Sequence, residues 1–277
     1  MKTSGLKAET LAALFVLSTK KQAGGKKELK EAVEVLLAMA KVGWIPFRYE
    51  EVLNEVKQWE QEGFPPKRHT EKFRSVYAPS YRVLSQDYAW ALPIFAEIDK
   101  ALEEKGRLLV AIEGGAAAGK STLADLLKRV YDCNLFHMDD FFLRPEQRTP
   151  QRYSQPGSNV DYERFYEEVL KPLTLGKTIQ YRRFDCGTFQ LQPPVEMKPK
   201  ALNIVEGSYS CHPRLSNNYD FKIFLKIDPE LQARRIRHRN DSVCQSRFFE
   251  KWLPLERAYF EKLNIEKKCD LTLEVTG

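Results

Sequence analysis

The chain has 277 residues, 43% of them apolar, and carries 44 Lys and Arg against 38 Asp and Glu, for a formal charge of +6. That is enough for one large domain or two with real cores, and the mild basic balance suits a polyphosphate cleft without requiring nucleic acid. Cys133, Cys186, Cys211, Cys244 and Cys269 are odd in number, far apart and form no C-x-x-C, which argues against a disulfide framework and for a reduced, cytoplasmic protein. No run of 18 apolar residues marks a membrane span, and Thr10–Leu17, followed by Lys20 and Lys21, reads as a short amphipathic helix.

Residues 1–80 read as helical. Glu28–Val42 places Leu29, Val33, Leu36, Leu37 and Ala40 on one face, and Gly24-Gly25 separates it from the helix before. Tyr49–Glu62 keeps Val52, Val56 and Trp59 in register and stops at Gly63 and Pro65-Pro66. The Lys20–Lys30 cluster reads as a solvated face and loop. This region holds no catalytic constellation. It either packs on the rest of the chain or makes a contact in a homo-oligomer.

Residues 81–277 alternate apolar strands with helices, the pattern of an α/β fold. A helix over Leu92–Leu102 leads into the strand Leu108–Ile112, and Gly114–Ser121 then reads G-x-x-x-x-G-K-S. The small residues Gly114, Gly115, Ala116, Ala117, Ala118 and Gly119 let backbone N–H groups close around phosphate oxygens. Leu123, Ala124, Leu126 and Leu127 give the following helix an apolar face, and its positive end meets the same anion. Lys120 would reach the β- and γ-phosphates of ATP, Ser121 would bind Mg²⁺, and Thr122 completes the turn.

Asn134–Met138 is a second strand, followed at once by Asp139 and Asp140. Two carboxylates past a strand end suit a general base and a metal-linked acid. If the chain stays extended, Asp139 faces the loop and Asp140 points elsewhere. The polar stretch 143–159 reads as a long surface loop, and Asp161 as the cap of a helix. Tyr181–Phe184 and Phe189–Leu191 form a small hairpin around Cys186-Gly187. Ala201–Val205 is a third buried strand ending at Glu206-Gly207, where a carboxylate commonly faces the Mg²⁺. Phe221–Ile227 and Leu271–Val275 are the fourth and fifth strands.

Asp228-Pro229 starts a helix carrying Arg234, Arg235, Arg237 and Arg239, with Arg235 and Arg239 on one face. So many guanidinium groups suit a lid over triphosphate, where arginine stabilises the charge on a transferring phosphoryl group. Trp252–Phe260 reads as an amphipathic helix with its aromatics in the core.

Gly114–Thr122, Met138–Phe142, Asn159–Phe165, Ile204–Gly207 and Arg234–Arg237 together resemble the uridine kinase and phosphoribulokinase branch of P-loop kinases, in that family's order, over Arg82–Gly277. The resemblance implies a P-loop NTPase fold: a five-stranded parallel sheet flanked by helices, ordered second, third, first, fourth, fifth. It implies Asp139 as the base toward an acceptor hydroxyl and Asp161 as partner of sugar hydroxyls. Mg²⁺ would be held by Ser121, Glu206 and Asp139. Arg234, Arg235 and Arg239 would close over ATP, with Lys120 and Arg235 acting in the transfer. Tyr181, Tyr209 and His212 stand on the acceptor side.

One departure is plain. Uridine kinases carry a His and an Arg after a Tyr-Asp segment, whereas Tyr181-Arg-Arg-Phe-Asp-Cys-Gly-Thr-Phe189 has neither after its Asp. His212 or Arg183 is the nearest substitute. The implied activity is phosphoryl transfer from ATP to a hydroxyl of a small molecule, a nucleoside first. Pantothenate, glycerate or a sugar are the alternative acceptors, and a nucleotide-binding regulator without turnover is the non-enzymatic alternative. A GTPase would need an Asn/Thr-Lys-x-Asp motif, which the chain lacks. Neither nucleic acid nor membrane is implied as a partner.

Overall fold

A computed structural model describes residues 5–20, 24–79, 84–239 and 241–276. The boundary expected at residues 80 and 81, Arg82 and part of the basic cluster near Lys21 lie outside them. The chain divides into two compact units, Leu11–Ala89, and Met1–Thr10 with Trp90–Gly277. Among the described residues no helix is long and apolar enough to cross a membrane.

The first unit is helical. Lys26–Lys41 and Tyr49–Gln61 pair through an ion pair between Lys30 and Glu60 (2.7 Å) and bury Val33, Ala40 and Val56. The second of these helices ends where Trp59 donates to Pro65 O (2.7 Å) and meets Phe64 edge-on. A further helix, Glu71–Tyr77, starts at Thr70, whose hydroxyl accepts from Phe73 N–H.

The second unit is built on seven strands: β1 (Leu108–Gly114), β2 (Cys133–His137), β3 (Ile179–Asp185), β4 (Gln190–Met197), β5 (Leu202–Glu206), β6 (Phe221–Ile227) and β7 (Leu271–Val275). Five of them make one parallel sheet in the order β2-β5-β1-β6-β7, the order the motifs imply, with the P-loop strand in the centre. This is the P-loop NTPase fold. Every residue of β1 and β5 is buried, because helices cover both faces of a parallel sheet. Register aligns Ile112, His137 and Glu206 across β1, β2 and β5, so three strands end at one level. Strands β3 and β4 form the expected antiparallel hairpin, with an irregularity between Arg182 and Phe184. Phe136, Phe141, Phe165 and Tyr181 pack its inner side, with ring centroids 4.9–5.8 Å apart.

One local expectation is corrected in part. Residues 143–159 form the expected surface loop only in part, at Pro145, Glu146, Thr149, Pro150, Gln151, Ser154 and Gln155. Pro145–Gln147 and Pro150–Ser154 are short helical turns, and Leu143, Ser158 and Asn159 are buried. Arg152 makes this possible by donating to Ser158 O (2.7 Å) and Val160 O (2.9 Å), carbonyls that burial would otherwise strand. The helix Leu253–Leu263 carries Tyr259 into the core, as expected of its aromatics, and buries Leu253 and Glu256 as well.

Candidate active site

The phosphate loop leaves β1 through Gly114 at φ +148°, where a Cβ would stand 2.5 Å from Leu225 O. Only glycine fits that close approach. The loop closes at Gly119 (φ +94°), which caps the helix Lys120–Val130. The first intrahelical bond beyond it runs from Leu123 N–H to Gly119 O. The N–H groups of Lys120, Ser121 and Thr122 therefore precede the ladder and give the loop a positive rim.

Not every loop N–H is available to a phosphate. Gly114 N–H donates to Glu113 (2.9 Å), Ala116 N–H to Glu256 (2.8 Å) and Ala118 N–H to Gly115 O (3.1 Å). Lys120 is buried rather than open to solvent. Its Nζ donates to Gly114 O and Gly115 O (2.9 Å each) and to Ser208 Oγ (3.2 Å), so the ammonium lies folded along the loop.

Under the loop, Glu113 is fully buried and accepts four hydrogen bonds, from Gly114 N–H, Tyr209 N–H, Cys211 N–H and the Tyr259 hydroxyl (2.9–3.1 Å). Burial pushes its carboxyl up to about 7, while the four donors and nearby Lys120 favour the ionised form. With every lone-pair direction met by a donor, we assign the carboxylate.

Glu206 closes the end of β5. Its Oε1 accepts from Ser121 Oγ (3.1 Å) and meets His137 Nδ1 at 2.6 Å. The hydrogen bond to Glu206 raises the His137 imidazole above its usual value, with burial opposing. Asp139 stands two residues beyond His137. The chain there is not extended: Met138–Phe141 forms a 3₁₀ turn, so strict alternation does not separate the two aspartates. Their surroundings do. Asp139 lies in the field of Lys120 and Glu206, and its carboxyl is raised, first by crowding of protein around it and against the pull of Lys120. The side chain is still open to solvent at the cleft, which limits that rise. Asp140 is raised chiefly by burial, but Arg183 pairs with it at Nε to Oδ2 3.4 Å.

The acceptor-side candidates are built into the protein. Asp161 is 2% exposed; it caps its helix by accepting from Arg164 N–H (3.1 Å) and also accepts from Gln147 Nε2 (2.9 Å). The Tyr181 ring lies buried against Phe136 and Phe141. Tyr209, at φ +77°, packs 4.8 Å from Tyr259. His212 is stacked on Tyr162 at 4.3 Å, and its ring lies nearly parallel to that of Tyr259, 6.3 Å away. Burial, with Arg152 next, pushes its imidazole down to about 4. Of the three arginines expected over the nucleotide, Arg235 reaches the loop, donating from Nη1 to Ala117 O (3.2 Å). Arg234 and Arg239 are exposed on the same helix, Pro229–Arg239.

Four polar residues at the loop escape a reading of the sequence: Glu113, His137, Gln232 and Glu256. Only Glu113 leaves a trace, an acid inside the apolar run directly ahead of the glycine-rich loop.

No protein-family model matches the chain. Over 188 residues it is 26% identical to the bifunctional alpha-galactosidase/sucrose kinase AgaSK of Mediterraneibacter gnavus, covering 59% of this chain and 20% of that protein. This chain thus spans about a fifth of that relative's length. Over 168 residues it is 24% identical to "Putative kinase protein 029R" of Invertebrate iridescent virus 3, covering 58% of this chain and 84% of that one. Among solved structures, a possible uridine kinase from Bacillus stearothermophilus matches with a TM-score of 0.48 and 19% identity, over 60% of this chain and 88% of that one. Motif order and sheet order agree with the resemblance drawn from the residues: the chain is similar to the uridine kinase and phosphoribulokinase branch of P-loop kinases.

Proposed function

We propose that the protein transfers the γ-phosphoryl group of ATP to a hydroxyl of a small molecule. The observation that carries this reading is the convergence at one sheet edge of Lys120 on the phosphate loop, the Ser121–Glu206 pair, and Asp139 in the field of both Lys120 and Glu206. Hard oxygen donors 3.1 Å apart, a hydroxyl and a carboxylate, fit Mg²⁺, which such sites bind through few protein ligands, with substrate phosphates as others. The ion, when bound, neutralises charge on the phosphate oxygens.

The residues of the chain divide the remaining work. The rim N–H groups and Lys120 hold the β- and γ-phosphates, which requires the Lys120 ammonium to turn from the loop carbonyls to the ligand. Asp139 takes the proton of the acceptor hydroxyl as its oxygen bonds to the γ-phosphorus. The bond from that phosphorus to the β–γ bridging oxygen breaks, and ADP leaves. A carboxyl raised above its ordinary value is a better base for this step, provided it is still ionised at working pH. Arg235, one bond from the loop, is placed to move onto the transferring group.

The motifs favour a nucleoside as acceptor. A sugar is the second reading, favoured by the hairpin, which lacks the His and Arg after Asp185, and by the sucrose kinase named in the relative from Mediterraneibacter gnavus. The five free cysteines suit a reducing, cytoplasmic setting. A screen of nucleosides, sugars, glycerate and pantothenate for ATP-dependent phosphorylation tests the proposal. A protein that binds MgATP and phosphorylates none of them, with binding unchanged by Asp139→Asn, would instead be a nucleotide-responsive regulator.

A further inference from the structure

The peptide at Ala116 is gripped from two helices. Its N–H donates to Glu256 Oε2 (2.8 Å), and its carbonyl accepts from Gln232 Nε2 (3.1 Å). The two side chains close the ring on each other, Gln232 Nε2 donating to Glu256 Oε1 (3.0 Å). Both are buried. We infer that Glu256 and Gln232 are positioning residues that hold the first half of the phosphate loop in the shape that receives a triphosphate. The inference rests on the ATP reading above.

Three features carry it beyond a packing role. The grip has a fixed polarity: a peptide N–H needs an acceptor and its carbonyl a donor, so a carboxylate at 256 and an amide at 232 fit in that order only. The loop has made room for it, since a Cβ on Gly115 would stand 2.7 Å from Gln232 Nε2 and 3.1 Å from Glu256 Oε1. A side chain at 115 would press on both gripping groups. The grip also extends to the lysine. Ser208 Oγ lies 3.0 Å from Glu256 Oε2 and 3.1 Å from Gly114 O, and it accepts from Lys120 Nζ at 3.2 Å. The single Ser208 proton goes preferentially to the charged acceptor, Glu256.

A buried carboxylate beneath a triphosphate site is costly unless its donors are in place, and here Ala116, Ser208 and Gln232 supply them. Gln232 also stands one turn from Arg235 on the same helix, and the two donate to successive loop carbonyls, Ala116 O and Ala117 O. The loop and Arg235 are thus set against one frame. Preorganisation of this kind shows as affinity, because the cost of ordering is met in the free protein.

The test is calorimetry on the full chain with MgATP and with inorganic tripolyphosphate, alongside urea midpoints. Glu256→Ala should weaken both ligands by about 10- to 100-fold, and Gln232→Ala by about three- to tenfold, with the midpoint little changed. The exchanged pair, Gln232→Glu with Glu256→Gln, keeps composition and volume but opposes an acceptor to the Ala116 carbonyl; it should bind as weakly as Glu256→Ala. If all three variants bind as tightly as the wild type, the inference is wrong. Loss of stability with affinity of the folded protein unchanged also overturns it, and makes the pair structural. Should Glu256→Ala fail to fold, the milder Gln232→Ala decides by the same criterion. A wild-type protein that binds neither ligand overturns the ATP reading itself, and the inference with it.

Discussion

The two units bury their apolar residues very differently. Between Leu11 and Ala89 the described residues bury Leu14, Val33, Ala40, Val56 and Tyr88, while Trp44 is 78% exposed and Phe47 62%. In the P-loop unit the central strands are buried along their whole length. The difference follows from backbone chemistry. A helix satisfies its own N–H and C=O groups and tolerates a wet face, whereas a parallel strand is buried on both sides. Chemistry that sets a hydroxyl and an imidazole each within 3.1 Å of one carboxylate requires the second kind of support. Substitutions at the loop should therefore change catalysis, and substitutions in the helical unit should change only stability.

The largest expected effect is at Lys120. Removing one preorganised donor from a developing charge costs about 10²–10³-fold, and Lys120→Ala also removes three bonds that shape the loop. Phosphoryl transfer should fall to background, with circular dichroism retained. Activity within tenfold of wild type would mean that the loop does not serve the transfer.

Next comes the pair of aspartates. Asp139→Asn keeps the shape and removes the basicity, so kcat should fall about 10²–10⁴-fold while ATP affinity holds. Asp140 is already engaged by Arg183, and Asp140→Asn should cost less. Because the Asp139 carboxyl is raised, wild-type kcat/KM should climb with pH through a limb lying above the value of a free aspartate, about 3.9. Reversal of the two variants would move the base to Asp140.

A smaller effect separates packing from chemistry inside the P-loop unit. His212 is held neutral, with its imidazole pushed down to about 4 against about 6.5 in the unfolded chain. Between those values the unfolded chain binds a proton that the folded protein does not, so stability rises with pH across the window and falls as pH drops through it. The full span is about 3 kcal/mol. His212→Phe keeps an aromatic between Tyr162 and Tyr259 and removes the titration. The difference between wild type and variant isolates His212 from buried carboxylates such as Glu113. Urea midpoints at pH 7 and pH 4.5 should show the wild type losing more, and equal losses would contradict the assignment.

Sequence reasoning reaches furthest where one residue type has one use. Five apolar runs and the glycine-rich loop give the strands of the sheet, and the family resemblance gives their order. Lys120, Ser121, Asp139 and Glu206 follow from position at strand ends. It fails where meaning depends on distant partners. Glu256 looks like a polar break in an amphipathic helix until Ala116 N–H is seen beside it. His137 is a lone histidine until register sets it against Glu206. Residues 143–159 look like loop because no periodicity announces that Arg152 will satisfy their carbonyls. The 3₁₀ turn at Met138–Phe141 leaves the preference for Asp139 resting on Lys120 and Arg183, side chains far away in sequence.

The smallest prediction tests the other side of the comparison. Trp59 ends its helix by donating from Nε1 to Pro65 O at 2.7 Å, with its ring edge-on to Phe64 at 5.1 Å. Phe64 itself sits at φ +60°, a conformation that a bulky residue holds only when its surroundings fix it. Trp59→Phe keeps most of the ring contact and removes the donor, leaving a half-buried carbonyl that water can partly satisfy. The cost should be about 0.5–1.5 kcal/mol, the range of a single neutral hydrogen bond. It should appear as a lower urea midpoint for the helical unit, followed by amide hydrogen exchange over Lys26–Gln61. ATP affinity and kcat should stay within experimental scatter, since every residue proposed to handle phosphate lies outside Leu11–Ala89. A drop in kcat as large as that of Asp140→Asn would show that the helical unit shapes the site, and would end the division of labour drawn between the two regions.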